Sequence, residues 1–170
     1  MIKILAAVVA LVLVAVFTVT KQDKEEVTEN TSQINTNDNE PELRSTEVLD
    51  LSGQGLTKTP GYVFDRTDIQ KLDLSNNNLD GSLQAEVRHL QNLKVLDLSN
   101  NQFTGVPAEI GQLKNLEMLN LSNNQLTGLP YELGNLANLK VLDLRGNNYA
   151  TADLEMIKKN LPSTIKVLTD

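Results

Sequence analysis

Cysteine is absent from this chain of 170 residues. That excludes disulfides, a thiolate nucleophile and cysteine metal sites. Tryptophan is absent too, and aromatic residues make up only 4% of the chain. Lysine and arginine number 15 against 22 aspartates and glutamates, a net charge of −7. The basic residues form no stripe and no aromatic platform accompanies them, so nucleic acid is not a partner. Histidine occurs once, as His89. No nucleophile–base pair, metal cluster or phosphate-binding loop is visible, so neither an enzyme nor a cofactor is expected.

What the chain has instead is a beat of about 23 residues. Thr46, Ile69, Leu93, Leu116, Leu139 and Pro162 open the same phrase at intervals of 23, 24, 23, 23 and 23. A period in this range marks a solenoid. Four copies are complete: Ile69–Leu79, Leu93–Phe103, Leu116–Leu126 and Leu139–Tyr149. Leu72 and Leu74 stand two apart, on one face of a short strand, while Lys71, Asp73 and Ser75 face the other way. Stacked copies make a parallel sheet with leucines inside and polar residues outside. Asn77, Asn101, Asn124 and Asn147 stand where each strand must turn away. Their amides can satisfy backbone groups that the turn strands, forming a ladder along the solenoid.

These copies read L-x-x-L-x-L-x-x-N-x-L, and from Leu43 to Asp170 the chain resembles the leucine-rich repeat family. The resemblance implies an α/β solenoid, a right-handed superhelix whose concave face is a parallel sheet. The return segments Phe103–Asn115 and Leu126–Asn138 repeat the pattern L-P-x-E-[IL]-G-x-L-x-N with small variations, which looks like the convex side of bacterial and plant members. Short helical or 3₁₀ turns are expected there, with Ile110, Leu113, Leu133 and Leu136 in the core. Gly111 and Gly134 are expected to permit backbone turns. The absence of cysteine-rich caps departs from extracellular animal and plant members and points to a bacterial-type protein.

The ends depart from the pattern, as solenoid ends must. Gln54 stands where the first copy should carry asparagine, and Arg66 occupies the place of Leu90, Leu113 and Leu136. Arg66 is expected to snorkel from a loose edge repeat. Thr151–Asn160 reads as a helix with Thr151 as N-cap, acids at its start and Lys158 and Lys159 at its end. Leu154, Ile157 and Leu161 would face the core. Ile165 and Val167 would then supply a closing strand, completing a helix–strand cap.

The front of the chain differs. Ile4–Thr20 is uncharged and mostly apolar, about 25 Å long as a helix. Residues 1–20 are expected to be a retained transmembrane anchor, because no A-x-A-like cleavage site follows; the alternative is a cleaved signal peptide and a secreted protein. Lys3 and the amino terminus hold the N-terminal end in the cytoplasm, which puts the repeats outside it. Residues 21–42 are acidic and polar, a disordered tether reaching about 25 Å. Residues 43–170 form the repeat domain, a monomeric solenoid.

The outward positions form three columns. One is Asp50, Asp73, Asp97, Asn120, Asp143 and Lys166. The next is Val48, Lys71, Val95, Met118, Val141 and Thr164. The third is Glu47, Gln70, Lys94, Glu117, Lys140 and Ser163. Six strands make a face about 25 Å across, suited to a peptide, a loop or a protein edge. Acids beside a narrow apolar stripe suit a partner with basic and a few aliphatic side chains. The candidate contact residues are Lys71, Asp73, Lys94, Val95, Asp97, Glu117, Met118, Asn120, Lys140, Val141 and Asp143. A calcium ladder along Asp73, Asp97 and Asp143 is too sparse for six to eight oxygens. The chain therefore reads as a membrane-tethered module for an unknown protein or peptide. The alternative is a structural or adhesive envelope-surface protein without a single ligand.

Overall fold

The computed structural model of the protein describes residues 47–170. The anchor and tether at 1–20 and 21–42 lie outside the described residues, as do the first four residues of the repeat domain.

Three-residue strands carry the leucine pairs. They are β1 (Val48–Asp50), β2 (Lys71–Asp73), β4 (Val95–Asp97), β6 (Met118–Asn120), β7 (Val141–Asp143) and β8 (Lys166–Leu168). They form one six-stranded parallel sheet in the order β1-β2-β4-β6-β7-β8. Leu49, Leu72, Leu96, Leu119, Leu142 and Val167 are matched across it. Leu72, Leu96, Leu119 and Leu142 are fully buried, as are Leu74, Leu98, Leu121 and Leu144 just beyond the strands. Burial of this double leucine row is the main stabilising term of the solenoid.

The chain returns through 3₁₀ turns at Gly61–Asp65, Ala85–His89, Ala108–Gln112 and Tyr131–Asn135. Three of them follow a proline, Pro60, Pro107 or Pro130, in extended conformation. Proline fixes φ there and donates no hydrogen bond, while its carbonyl accepts from the residue three on. Ile110 N–H donates to Pro107 O at 3.1 Å, and Leu133 N–H to Pro130 O at the same distance. Val87, Ile110, Leu113, Leu133 and Leu136 close the core from this side. His89 ends the second turn, exposed.

Gly111 and Gly134 do not work as expected. Neither has positive φ. A Cβ on Gly111 would overlap the Glu132 carbonyl oxygen, and one on Gly134 would lie 3.0 Å from Asn160 Cβ. They are small so that successive return turns can touch.

A second, two-stranded parallel sheet flanks the first. It pairs β3 (Asp80–Ser82) with β5 (Gln102–Gly105), with an irregularity between Gly81 and Ser82. Gly81 and Ser82 are consecutive but face Phe103 and Gly105, so the extra residue is Thr104, on β5.

The cap is helix α1 (Thr151–Lys158) followed by β8. Leu154, Ile157 and Leu161 are buried, and Ile165 and Val167 pack against the core. Two details differ from expectation. Thr151 is not the N-cap: Ala150 holds that position, and no side chain caps the helix. Thr151 is already helical there, and Asp153 in the first turn supplies the favourable negative charge. The closing strand is also shifted by two residues, pairing Lys166 with Val141 and Leu168 with Asp143. An α-helix rises about 1.5 Å per residue against about 2.0 Å in a 3₁₀ turn, so this return takes more residues to cover the same width.

Candidate binding face

The Val48 column runs Val48, Lys71, Val95, Met118, Val141 and Lys166 in strict register. Val48, Val95 and Val141 are half-buried, while Met118 is 41% exposed. Met118 is thus the one large apolar side chain standing clear of the concave face among the described residues. Beside it Lys140 Nζ donates to Glu117 Oε2 at 2.6 Å. That ammonium holds the Glu117 carboxyl below the usual range, with a smaller contribution from Lys94. Lys94, Lys140 and Lys166 are exposed, and Lys71 is half-buried with Nζ 3.5 Å from Asp73 Oδ2.

The acidic column is engaged within its own strands. Ser75 N–H and Oγ donate to Asp73 Oδ1 at 3.1 and 2.7 Å. Ser99 repeats this on Asp97 at 2.9 and 2.6 Å, and Ser122 on Asn120 Oδ1 at 3.1 and 2.8 Å. Each is a side chain accepting from the backbone two residues on, so the column is a set of Asx turns that end the strands. Ser75, Ser99 and Ser122 are consequently buried, which corrects the solvent-facing placement of Ser75. The second oxygen of Asp97 accepts from Asn120 Nδ2 at 3.1 Å.

Asp143 goes furthest from its expected place. It is 6% exposed, because Arg145 folds back over it. Arg145 Nη2 donates to Asp143 Oδ2 at 2.6 Å and Nε to Oδ1 at 3.0 Å. The guanidinium holds the Asp143 carboxyl below its ordinary value. The exposed group at this point of the face is therefore the arginine. Lys166 also leaves the acidic column for the valine one, and Thr164 leaves the sheet. The half of the face around β6–β8 presents Lys140, Arg145 and Lys166. Its chemistry is thus less acidic than the columns read from sequence.

The asparagine ladder is present in full. Asn124 Nδ2 donates to Leu98 O, Leu121 O and Ser122 O at 3.0, 3.0 and 3.2 Å, and its Oδ1 accepts from Phe103 N at 3.0 Å. Asn101 and Asn147 repeat the pattern one copy earlier and later. Asn77 serves the edge copy, accepting from both Gln54 N and Leu56 N. These residues hold the scaffold rather than a ligand. A second ladder was missed: Asn92, Asn115 and Asn138 donate to Thr67 O, Gln91 O and Lys114 O of the preceding copy. Its signal is the same 23-residue spacing.

An open sheet face on a scaffold whose polar groups are internally satisfied is the geometry of a repeat-type recognition surface. The leucine rich repeat family matches residues 44–103 and 91–148, and the chain belongs to it. Receptor-like protein 41 of Arabidopsis thaliana is 45% identical over 65 residues, 38% of this chain and 7% of that protein. The chain thus aligns with a small fraction of such relatives. A leucine-rich repeat protein of Leptospira interrogans superposes with TM-score 0.61 at 43% identity, over 65% of this chain and 28% of that one. The plant peptide hormone receptor RGFR1, solved in complex with RGF2, does so with TM-score 0.58 at 34% identity, over 71% and 21%.

Proposed function

We propose that the repeat domain captures a protein or peptide on its concave sheet, presented outside the cytoplasm by a membrane anchor at residues 4–20 and the acidic segment 21–42. The single observation that carries this is Met118, exposed at the middle of an open face between Val95 and Val141 and flanked by Lys94 and Lys140. A flexible thioether with charged neighbours suits a partner that buries one aliphatic or aromatic side chain there. Because Asp73, Asp97, Asn120 and Asp143 serve their own turns, the contacts fall mainly to Lys71, Lys94, Val95, Glu117, Met118, Lys140 and Val141. Receptor-like relatives and a peptide-bound receptor support a protein or peptide partner. The likeness to a Leptospira protein and the absence of cysteine support a bacterial-type member.

A structural or adhesive surface protein is the second reading. It is favoured by the Asx turns and asparagine ladder, which commit much of the outer polarity to scaffold. Protease shaving of intact cells tests the presentation. Release of the repeat domain by cuts within 21–44 is expected; a protected domain overturns the topology. Met118→Glu with Lys94→Glu separates the two functions: the first loses its partner, whereas adhesion spread over the surface persists.

A further inference from the structure

The concave face carries its charge unevenly from one end of the sheet to the other. Glu47, Asp50 and Asp73 stand on or beside β1 and β2, against Lys71. Asp50 is exposed, and Glu47 accepts only from the neutral amide of Gln70, at 2.9 Å. Lys71 is half-buried with its ammonium 3.5 Å from Asp73, so the base at this end is already engaged by an acid. At the other end, Lys140, Arg145 and Lys166 stand on or beside β7 and β8, all exposed, while Asp143 is buried under Arg145. Lys166 forms no ion pair among the described residues. Asp170 lies at the rim, where its carboxylate accepts from Gly146 N–H. Between the two ends Val95, Met118 and Val141 make one apolar line across β4, β6 and β7.

The spacing of these groups fits a chain laid across the strands. With strands about 4.8 Å apart, Met118 is about 14 Å from β1, about 10 Å from β2 and about 10 Å from β8. An extended chain advances about 3.3 Å per residue, and every second side chain faces the same way. From a residue seated on Met118, the side chain four residues along, at about 13 Å, arrives over the acids of β1 and β2. The side chain two residues along in the other direction, at about 7 Å, falls between β7 and β8, within reach of Lys140 and Lys166.

We infer that the concave face takes an extended protein segment in one fixed polarity: a basic residue over β1 and β2, an aliphatic or aromatic residue against Met118, and an acidic residue between β7 and β8. This rests on the concave-face reading above and adds the charge order of the partner. A segment laid the opposite way brings like charges together at both ends, which is what selects the order. The order belongs to the side chains in space, so either backbone direction satisfies it.

Display selection of random peptides on the full chain in detergent, with counter-selection on Met118→Glu, provides the test. Enriched peptides are expected to carry a basic residue and an acidic residue on opposite sides of an aliphatic or aromatic one, at the spacing above. Double-mutant cycles by fluorescence anisotropy, on an enriched peptide synthesised with blocked ends, then locate each charge. Replacing the peptide's acid by its amide should weaken binding about fivefold to the unaltered chain and to Glu47→Gln with Asp50→Asn, but less than about twofold to Lys140→Met with Lys166→Met. Replacing the peptide's base by methionine should show the converse. Glu47→Gln and Asp50→Asn keep the acceptors for Gln70 and Ser52, and Lys140 and Lys166 are exposed, so the fold is retained. If no Met118-dependent peptide is enriched, the concave-face reading falls and this one with it. If such peptides are enriched but their charges couple to neither end, or to the opposite ends, the polarity alone is overturned.

Discussion

The Arg145 guanidinium closes over the Asp143 carboxylate, with Nη2 2.6 Å from Oδ2 and Nε 3.0 Å from Oδ1. In the other copies a serine hydroxyl or backbone N–H meets this oxygen; only here does a cation replace the serine. The substitution changes both the stability of the last full repeat and the sign of charge it offers.

This pair makes stability depend on acid. Asp143, Asp50 and Glu117 have folded pKa values below their ordinary ones, through Arg145, Ser52 N–H and Lys140 respectively. The unfolded chain therefore takes up protons first as pH falls, and the stability these groups contribute is lost from roughly pH 4 downward. Urea midpoints should be flat between pH 7 and 5 and drop below about pH 4. Arg145→Ala should lower the midpoint at pH 7 and flatten part of the acid dependence, because Asp143 loses its main cause of depression. A midpoint that rises on acidification would contradict this.

The asparagine ladder should be costly to break. Asn124→Ala leaves Phe103 N without its side-chain partner, while the Leu98 and Leu121 carbonyls keep Asn101 and Asn147 as donors. A buried N–H left unpaired costs about 1–3 kcal/mol, so a loss of about 2 kcal/mol is expected. Asn123, next to it, is exposed with φ of 54°. Asn123→Gly should change stability by less than about 0.5 kcal/mol. Equilibrium denaturation of both variants checks the contrast.

Two glycines should behave in opposite ways. Gly111→Ala puts a methyl group into the Glu132 backbone, at the contact between two return turns. Backbone cannot swing aside as a side chain can, and a loss of about 2–4 kcal/mol follows. Gly105→Ala meets nothing within 4 Å and has no positive φ, so it should be neutral or stabilise by about 0.5 kcal/mol. Thermal melts of the two variants test close packing of the convex side.

Much of this was legible in advance because a solenoid repeats its physics. Leu72–Leu74 spacing defines a strand face, and Asn124 at its fixed offset defines a turn; each appears four times in register. The second sheet was not legible: Asp80–Ser82 and Gln102–Gly105 lack strand-like patterning and pair only because the solenoid stacks them. Nor was the two-residue slip of β8, which depends on how much width a helix covers. The acidic face was misjudged for a local reason. In Asp-Leu-Ser the aspartate looks outward and free, yet the serine two residues on binds it. Arg145 in place of that serine, like Asn120 in place of an aspartate, was a visible sign that the pattern varies.

The central claim is that the concave sheet, at Met118, is where a partner lands. A photo-crosslinking amino acid placed at Met118 in the full chain, in its own cells, tests it most directly, with the same group at exposed Tyr62 on a return turn as reference. The account predicts one discrete adduct from position 118, lost when Lys94 and Lys140 are both changed to glutamate, and none from position 62. Equal adducts from both positions, or an adduct from position 62 alone, would contradict it.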